Sequence, residues 1–213
     1  MSAAKPEPGS TDGLLGWIDR RYQIRASAIR DGFRYSPVLA TAGQTFTDYT
    51  VGVTSLVRKH WRLHGSAGYG TISDGNNRQN LTGIATYVFD LEPLNLETGY
   101  MIRYMNYDEQ VLGGYFDPSN FWAHMALVSG NGEWGRRNYS YSFSAGVGLQ
   151  SFDFLDTHVS NDRVFQVSGA IGIPVGRGFK LEPFATWGDY AAQNPAGFES
   201  LTVGLRLHWR PER

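Results

Sequence analysis

Side-chain polarity alternates with a period of two along nearly the whole chain, and a helical repeat is almost absent. Few sequence features restrict a fold more, because successive side chains of a strand point to opposite faces of a sheet. In residues 139–150, Tyr139, Tyr141, Phe143, Ala145, Val147 and Leu149 share one face, against Ser140, Ser142, Ser144, Gly146, Gly148 and Gln150. Phe165, Val167, Gly169, Ile171 and Ile173 oppose Gln166, Ser168, Ala170 and Gly172. Leu201, Val203, Leu205, Leu207 and Trp209 oppose Thr202, Gly204, Arg206 and His208. Leu94, Leu96, Tyr100, Ile102 and Tyr104 oppose Asn95, Glu97, Gly99 and Arg103. Tyr22, Ile24, Ala26 and Ala28 oppose Arg21, Gln23, Arg25 and Ser27.

The polar face holds Gly, Ser, Thr and Gln with scattered charges, not the Lys and Glu of a solvated sheet. Charged residues make up 18% of the chain and 26 of its 213 residues are glycine. Small polar positions suit a confined lumen. The apolar face carries aromatics near strand ends, at Trp17, Trp61, Phe89, Tyr104, Trp187 and Trp209, as in lipid-facing strands with aromatic girdles. A soluble sandwich or ligand-binding barrel would alternate in the same way and stays open at this point.

Short connections are predicted at 58–60, 90–93, 130–135 and 174–178, and longer ones at 32–46, 73–79, 107–118, 152–161 and 189–198. Short turns on one rim and long loops on the other are the outer-membrane pattern. The predicted fold is all-β, an antiparallel up-and-down transmembrane barrel of about ten strands, with twelve as the alternative. Its expected spans are 18–31, 47–57, 61–72, 80–90, 94–106, 119–129, 136–151, 162–173, 177–188 and 199–209. An even count places both termini on the short-turn, periplasmic side. Residues 1–16, with Pro6 and Pro8, read as a disordered lead, which leaves 17–213 as the barrel. No signal-peptide core opens the chain, so an outer-membrane location implies a piece of a longer protein.

The chain has no cysteine and balances 19 Lys and Arg against 20 Asp and Glu, so thiol chemistry is excluded and nucleic acid is not an expected partner. The five histidines show no metal-ligand spacing, and no serine sits in a nucleophile elbow. No cofactor, metal or enzymatic activity is expected. Asp153, Asp156 and His158 fall together in an expected loop, where a small outer-membrane enzyme could use them. A loop held by Asx turns is the plainer reading. Arg21, Arg25, Arg62, Glu97, Arg103, Glu182 and Arg206 fall on polar faces. A charge in a narrow lumen needs a partner, so Glu97 and Glu182 are each expected to pair with one or more of these arginines.

Residues 107–151 hold a further pattern. Gly113, Gly114, Tyr115, Phe116, Asp117 and Pro118 form a turn-like loop entering a strand, and after Trp134 and two arginines comes the Tyr- and Ser-rich strand 139–150. This resembles the C-terminal barrel of the cellulose synthase outer-membrane subunit and related exopolysaccharide export porins, with Asp117 where that pattern has serine. The resemblance is sharp over 95–151, looser to the C-terminus and weak before residue 80. It implies a polysaccharide chain in the lumen, outer-membrane lipid outside, an upstream periplasmic repeat domain and an inner-membrane synthase as partners. It also implies a gate or glycan-contacting role for the Gly113–Pro118 loop, against the plainer reading of a structural latch that only fixes strand register. In either case the turn chemistry of Gly113, Gly114, Asp117 and Pro118 predicts an ordered loop. Tyr115 and Phe116 should fold inward or pack on the adjacent strand, and Asp117 should accept hydrogen bonds from amides beyond the proline. Tyr115, Phe116 and Trp122 are the candidates for stacking on sugar.

Overall fold

The computed structural model describes residues 10–19, 21–32, 43–91, 94–111, 115–135, 139–176, 178–189 and 200–209. Among the described residues eleven strands form one sheet: β1 (Ser10–Asp19), β2 (Tyr22–Gly32), β3 (Thr45–Leu56), β4 (Trp61–Ile72), β5 (Asn77–Leu91), β6 (Leu94–Tyr107), β7 (Ser119–Trp134), β8 (Tyr139–Phe154), β9 (Thr157–Gly176), β10 (Phe179–Gly188) and β11 (Ser200–Trp209). Each pairs antiparallel with the next, in sequence order, which is the up-and-down architecture of a transmembrane barrel. Among the described residues no ladder joins β1 to β11.

The strand beyond the expected ten comes from the supposed lead. Residues 10–16 belong to β1, where Ser10 pairs with Arg30 and Gly16 with Ile24. Its apolar Leu14-Leu15 step is too short to register as alternation, but a partner strand is enough to fix it. Residues 1–9 lie outside the described residues. β1 starts at Ser10 on the long-loop rim and β11 ends at Trp209 on the short-turn rim; the chain termini, expected on one rim, lie outside the described residues.

The expected loop 152–161 is also strand. β8 and β9 run on to a two-residue turn at Leu155 and Asp156, and Leu155 takes φ 51°. The polar residues there read as loop, yet they pair: Asp153 opposes His158 and Phe152 opposes Val159. β9 has 20 residues, about twice the ~9–11 that cross a bilayer, so this hairpin stands beyond the rest of the sheet. Similarly, β5 begins at Asn77, inside the expected loop 73–79.

Register confirms the two faces. One row runs Ala26, Val51, Ala67, Leu81, Tyr104, Trp122 across six strands. A neighbouring row runs Gly52, Ser66, Thr82, Arg103, Ala123, Gln150. The apolar rows face outward and are open: Leu201 is 68% and Val203 72% exposed. The polar rows face inward. This is the reverse of a soluble barrel, whose apolar rows would fill its interior.

Candidate functional site: a barrel interior in two tiers

The loop-side half of the interior is filled. Phe121, Ala123 and Met125 from β7 are fully buried and cluster with Met101, Met105 and Tyr107 of β6, Ile72 of β4 and Val164 of β9. Residues from β4, β6 and β9 can share one cluster only if the sheet curls around it. From the 108–118 connection, Val111, Tyr115 and Phe116 join the same cluster. Tyr115 is 4% exposed, and Asp117 and Pro118 are among the most deeply buried side chains. Phe116 meets the rings of Phe121, Phe152 and Phe154 at 6.5, 5.1 and 5.5 Å.

Side-chain hydrogen bonds pin this plug on both flanks. Asn76 Nδ2 donates to the Glu109 carbonyl at 2.8 Å, and the Glu109 amide donates to Asn76 Oδ1 at 3.1 Å, so the side chain mimics a strand partner. The Tyr115 hydroxyl donates to Asp74 Oδ2 at 2.8 Å and accepts from Asn76 Nδ2 at 3.1 Å. Across the loop, Gln110 Nε2 donates to the Asp153 carbonyl at 2.8 Å and to Ser119 Oγ at 2.9 Å, while its Oε1 accepts from the Leu155 amide. Asp117 Oδ2 accepts from the Val111 amide at 2.5 Å, upstream of the proline and not beyond it as expected. Burial holds the Asp117 carboxyl above the usual carboxylate range, and burial likewise raises the Tyr115 hydroxyl.

The turn-side half is open and polar. A cavity of about 470 Å3 lies there, lined by residues that include Asn95, Asn131, Ser140, Ser142, Lys180 and Glu182. Asn95 Nδ2 donates to Asn131 Oδ1 at 3.2 Å. Two ion-pair groups stand in this tier. Arg62 Nη1 lies 3.0 Å from Glu97 Oε1, spanning β4 to β6. Glu182 gathers Arg206 at 3.1 Å, His208 at 3.5 Å and Lys180 at 3.8 Å.

The predicted site residues therefore divide. Glu97 and Glu182 pair with arginines as expected. Arg103 lies on the inner row that includes Ala123, and Arg25 pairs in register with Gly52 of the same row. Arg21 sits in the β1–β2 turn and is exposed. Tyr115, Phe116, Asp117 and Pro118 are drawn together in the plug, while Gly113 and Gly114 lie outside the described residues. Trp122 is not a lumen platform. It faces outward, 41% exposed, with Tyr104 4.8 Å away and His124 stacked at 6.4 Å.

Sequence reasoning missed Lys180 and His208 as partners of Glu182, although both lie at even steps from it and from Arg206. It also missed Arg78, which bonds Asp48 and lies 5.9 Å over the Tyr107 ring. Its position inside a supposed loop hid its strand parity. Asp153 and His158 do meet, at 2.6 Å across the β8–β9 hairpin, with Asn120 Nδ2 also donating to Asp153. Among the described residues no group of three His, Cys, Asp or Glu could hold a metal ion.

No protein-family profile matches the chain, and no curated protein matches it. Solved structures do. A bacterial polysaccharide outer membrane secretin superposes with TM-score 0.73 at 16% identity, covering 95% of this chain and 70% of the other. LpxR from Salmonella typhimurium superposes with TM-score 0.50 at 11% identity, covering 94% of this chain and 88% of the other. At such identities the likeness establishes the fold: an antiparallel, up-and-down barrel architecture of the outer-membrane type.

Proposed function

We propose that this chain is an outer-membrane barrel of the exopolysaccharide-export type, related to the cellulose synthase outer-membrane subunit, and that it acts without catalysis as a pore or membrane anchor. The observation that carries the reading is the interior itself. An amide- and hydroxyl-lined cavity opens in the turn-side half, and an inward-folded loop closes the other half. Amides and hydroxyls are the groups that exchange hydrogen bonds with a hydrated sugar chain. The outward apolar rows supply the lipid contact that such a location needs, and the likeness to a polysaccharide secretin over 95% of the chain agrees with it. In this reading the Asp153–His158 pair staples the long hairpin and is not a reaction centre.

The test is conductance of the full chain in planar bilayers. The wild-type barrel should conduct poorly. Tyr115→Ala with Phe116→Ala should open it and make the current sensitive to block by soluble cello-oligosaccharides. Unchanged conductance in a correctly inserted double variant would contradict the gated-pore reading.

A further inference from the structure

The outward apolar rows are interrupted in one place. One row nearer the short-turn rim than Tyr104 and Trp122 runs Ile24, Val53, Gly65, Gly83, Ile102, His124. Branched side chains stand on both sides of two neighbouring glycines, so the row loses its cover at β4 and β5. A Cβ added at Gly65 would meet nothing within 4 Å, and one at Gly83 would lie 3.3 Å from Ile102 Cγ2. The result is a groove of about 480 Å3 on the outer wall, bordered by Val53, Leu63, Tyr100 and Ile102, with Gly65 and Gly83 along its floor. All four bordering side chains are exposed.

The groove slants across the wall, because the strands of a barrel tilt. On β4, Gly65 lies midway between the exposed rings of Trp61 and Tyr69. On β7, His124 stands ten residues from the turn end at Trp134, one bilayer crossing of ~9–11 residues. The row therefore climbs from mid-depth at Gly65 to the loop-side interface at His124. From Val53 on β3 to His124 on β7 it covers roughly 19 Å at the ~4.8 Å spacing of strands, the length of a fatty acyl chain.

The upper end is polar. The Tyr100 hydroxyl lies 2.8 Å from His124 Nδ1, and Trp122 stacks on the imidazole at 6.4 Å. A neutral imidazole and a phenol hold one N–H and one O–H between them, and their mutual bond uses one of the two. In either tautomer one donor is left on the outward face, as His124 Nε2–H or as the Tyr100 O–H. Among the described residues neither side chain makes another hydrogen bond. A donor left unmet beside hydrocarbon is costly. Just inside the aromatic belt of Tyr104 and Trp122, the acceptor that a bilayer offers is the ester carbonyl of a lipid.

We infer that this groove binds one acyl chain of an ester-linked lipid in the loop-side leaflet, with the chain laid over Gly65 and Gly83 and its ester carbonyl accepting from the Tyr100–His124 pair. This rests on the membrane-spanning reading above. An even apolar wall would touch any passing chain; the missing side chains and the spare donor together hold one.

The experiment folds the full chain into dioleoylphosphatidylcholine vesicles, checks it by heat-modifiable migration, extracts it into mild detergent and counts retained lipid by native mass spectrometry. The wild type should keep one phosphatidylcholine. Gly65→Leu puts its side chain into open space, and it should fold and lose that lipid. Val167→Leu, outward on β9, should keep it. Tyr100→Phe with His124→Leu removes both donors and should retain about fivefold less. The wild type should show a similar preference for the ester lipid over its dialkyl-ether analogue, a comparison that decides even if Gly65→Leu fails to fold. Retention unchanged in Gly65→Leu, equal retention of ester and ether lipid, or a dimer that Gly65→Leu dissolves in place of a bound lipid would overturn the site and leave the membrane reading intact. Failure of the wild type to insert into the vesicles would overturn both.

Discussion

The two halves of the barrel interior are built on the same alternating strands, yet one is packed and the other open. In the turn-side half, inward positions such as Asn95, Asn131, Ser142 and Glu182 border a cavity. A few residues along the same strands, inward positions become Met101, Met105, Phe121 and Met125 and are covered by Val111, Tyr115 and Phe116 of the β6–β7 connection. The difference teaches that a lumen-facing row is not polar by rule. It is polar where water or solute reaches it, and apolar where a connection folds back to cover it. The apolar patch needs the loop, and the loop needs the Asn76 and Gln110 clamps, because its own backbone groups would otherwise be buried unpaired.

The largest contrast between the halves should come from truncation. Phe121→Ala, at a fully buried site, should cost about 3–5 kcal/mol of unfolding stability. Ser142→Ala, on the open half, should stay within ~0.5 kcal/mol. Urea titrations in lipid vesicles measure both, and equal costs would erase the two-tier picture. Next comes the contrast between inner and outer faces. Val167→Arg, outward in mid-strand, should cost ~2–4 kcal/mol near the bilayer midplane, while its inward neighbour Ser168→Arg costs less. Gly204 cannot serve as the inward control, since a Cβ there would lie 2.4 Å from the Phe184 ring.

A smaller effect is expected at the clamp. Asn76→Ala removes the side chain that satisfies both the amide and the carbonyl of Glu109, and should cost ~1–3 kcal/mol. Hydrogen exchange should show the Glu109 amide losing protection while the Ser142 region is unaffected. The smallest effect is on pH. Burial raises the folded-state pKa of Asp117, so the folded loop holds a proton more tightly than the unfolded chain does. That increment of stability is fully present below the ordinary carboxylate range and is lost as pH rises through the folded value. Loop protection should therefore strengthen on acidification, and Asp117→Asn should remove the dependence. A dependence that survives in Asp117→Asn would assign it to another group.

Much of this was legible from alternation. Strand parity placed Arg62 with Glu97 and Arg206 with Glu182 on the inner face, because period-two polarity determines side before any partner is known. The glycines and Pro118, not alternation, point to an ordered loop with Tyr115 and Phe116 either folded inward or packed on the adjacent strand, and the structure buries Tyr115 in the interior cluster with Phe116 packed against it. Three things were not legible. β1 lacks alternation and is specified by its pairing with β2. The polar tip of the β8–β9 hairpin reads as loop because Asp153, His158 and Asn161 owe their order to cross-strand bonds, including Asn161 to Ser151 at 3.0 Å. The Arg78–Asp48 pair was hidden because Arg78 falls in an expected loop and its strand parity shows only once β5 is seen to begin at Asn77.

Because the chain lacks cysteine, one labelling experiment addresses the two-tier interior directly. Single substitutions Ser142→Cys and Met125→Cys are introduced into the full chain, which is inserted in one orientation and exposed to a charged, membrane-impermeant thiol reagent from each side. The packed and open halves predict that Ser142→Cys reacts quickly from the short-turn side and slowly from the loop side, while Met125→Cys resists from both. Rapid modification of Ser142→Cys from the loop side, or of Met125→Cys from either, would contradict a barrel closed at its loop end.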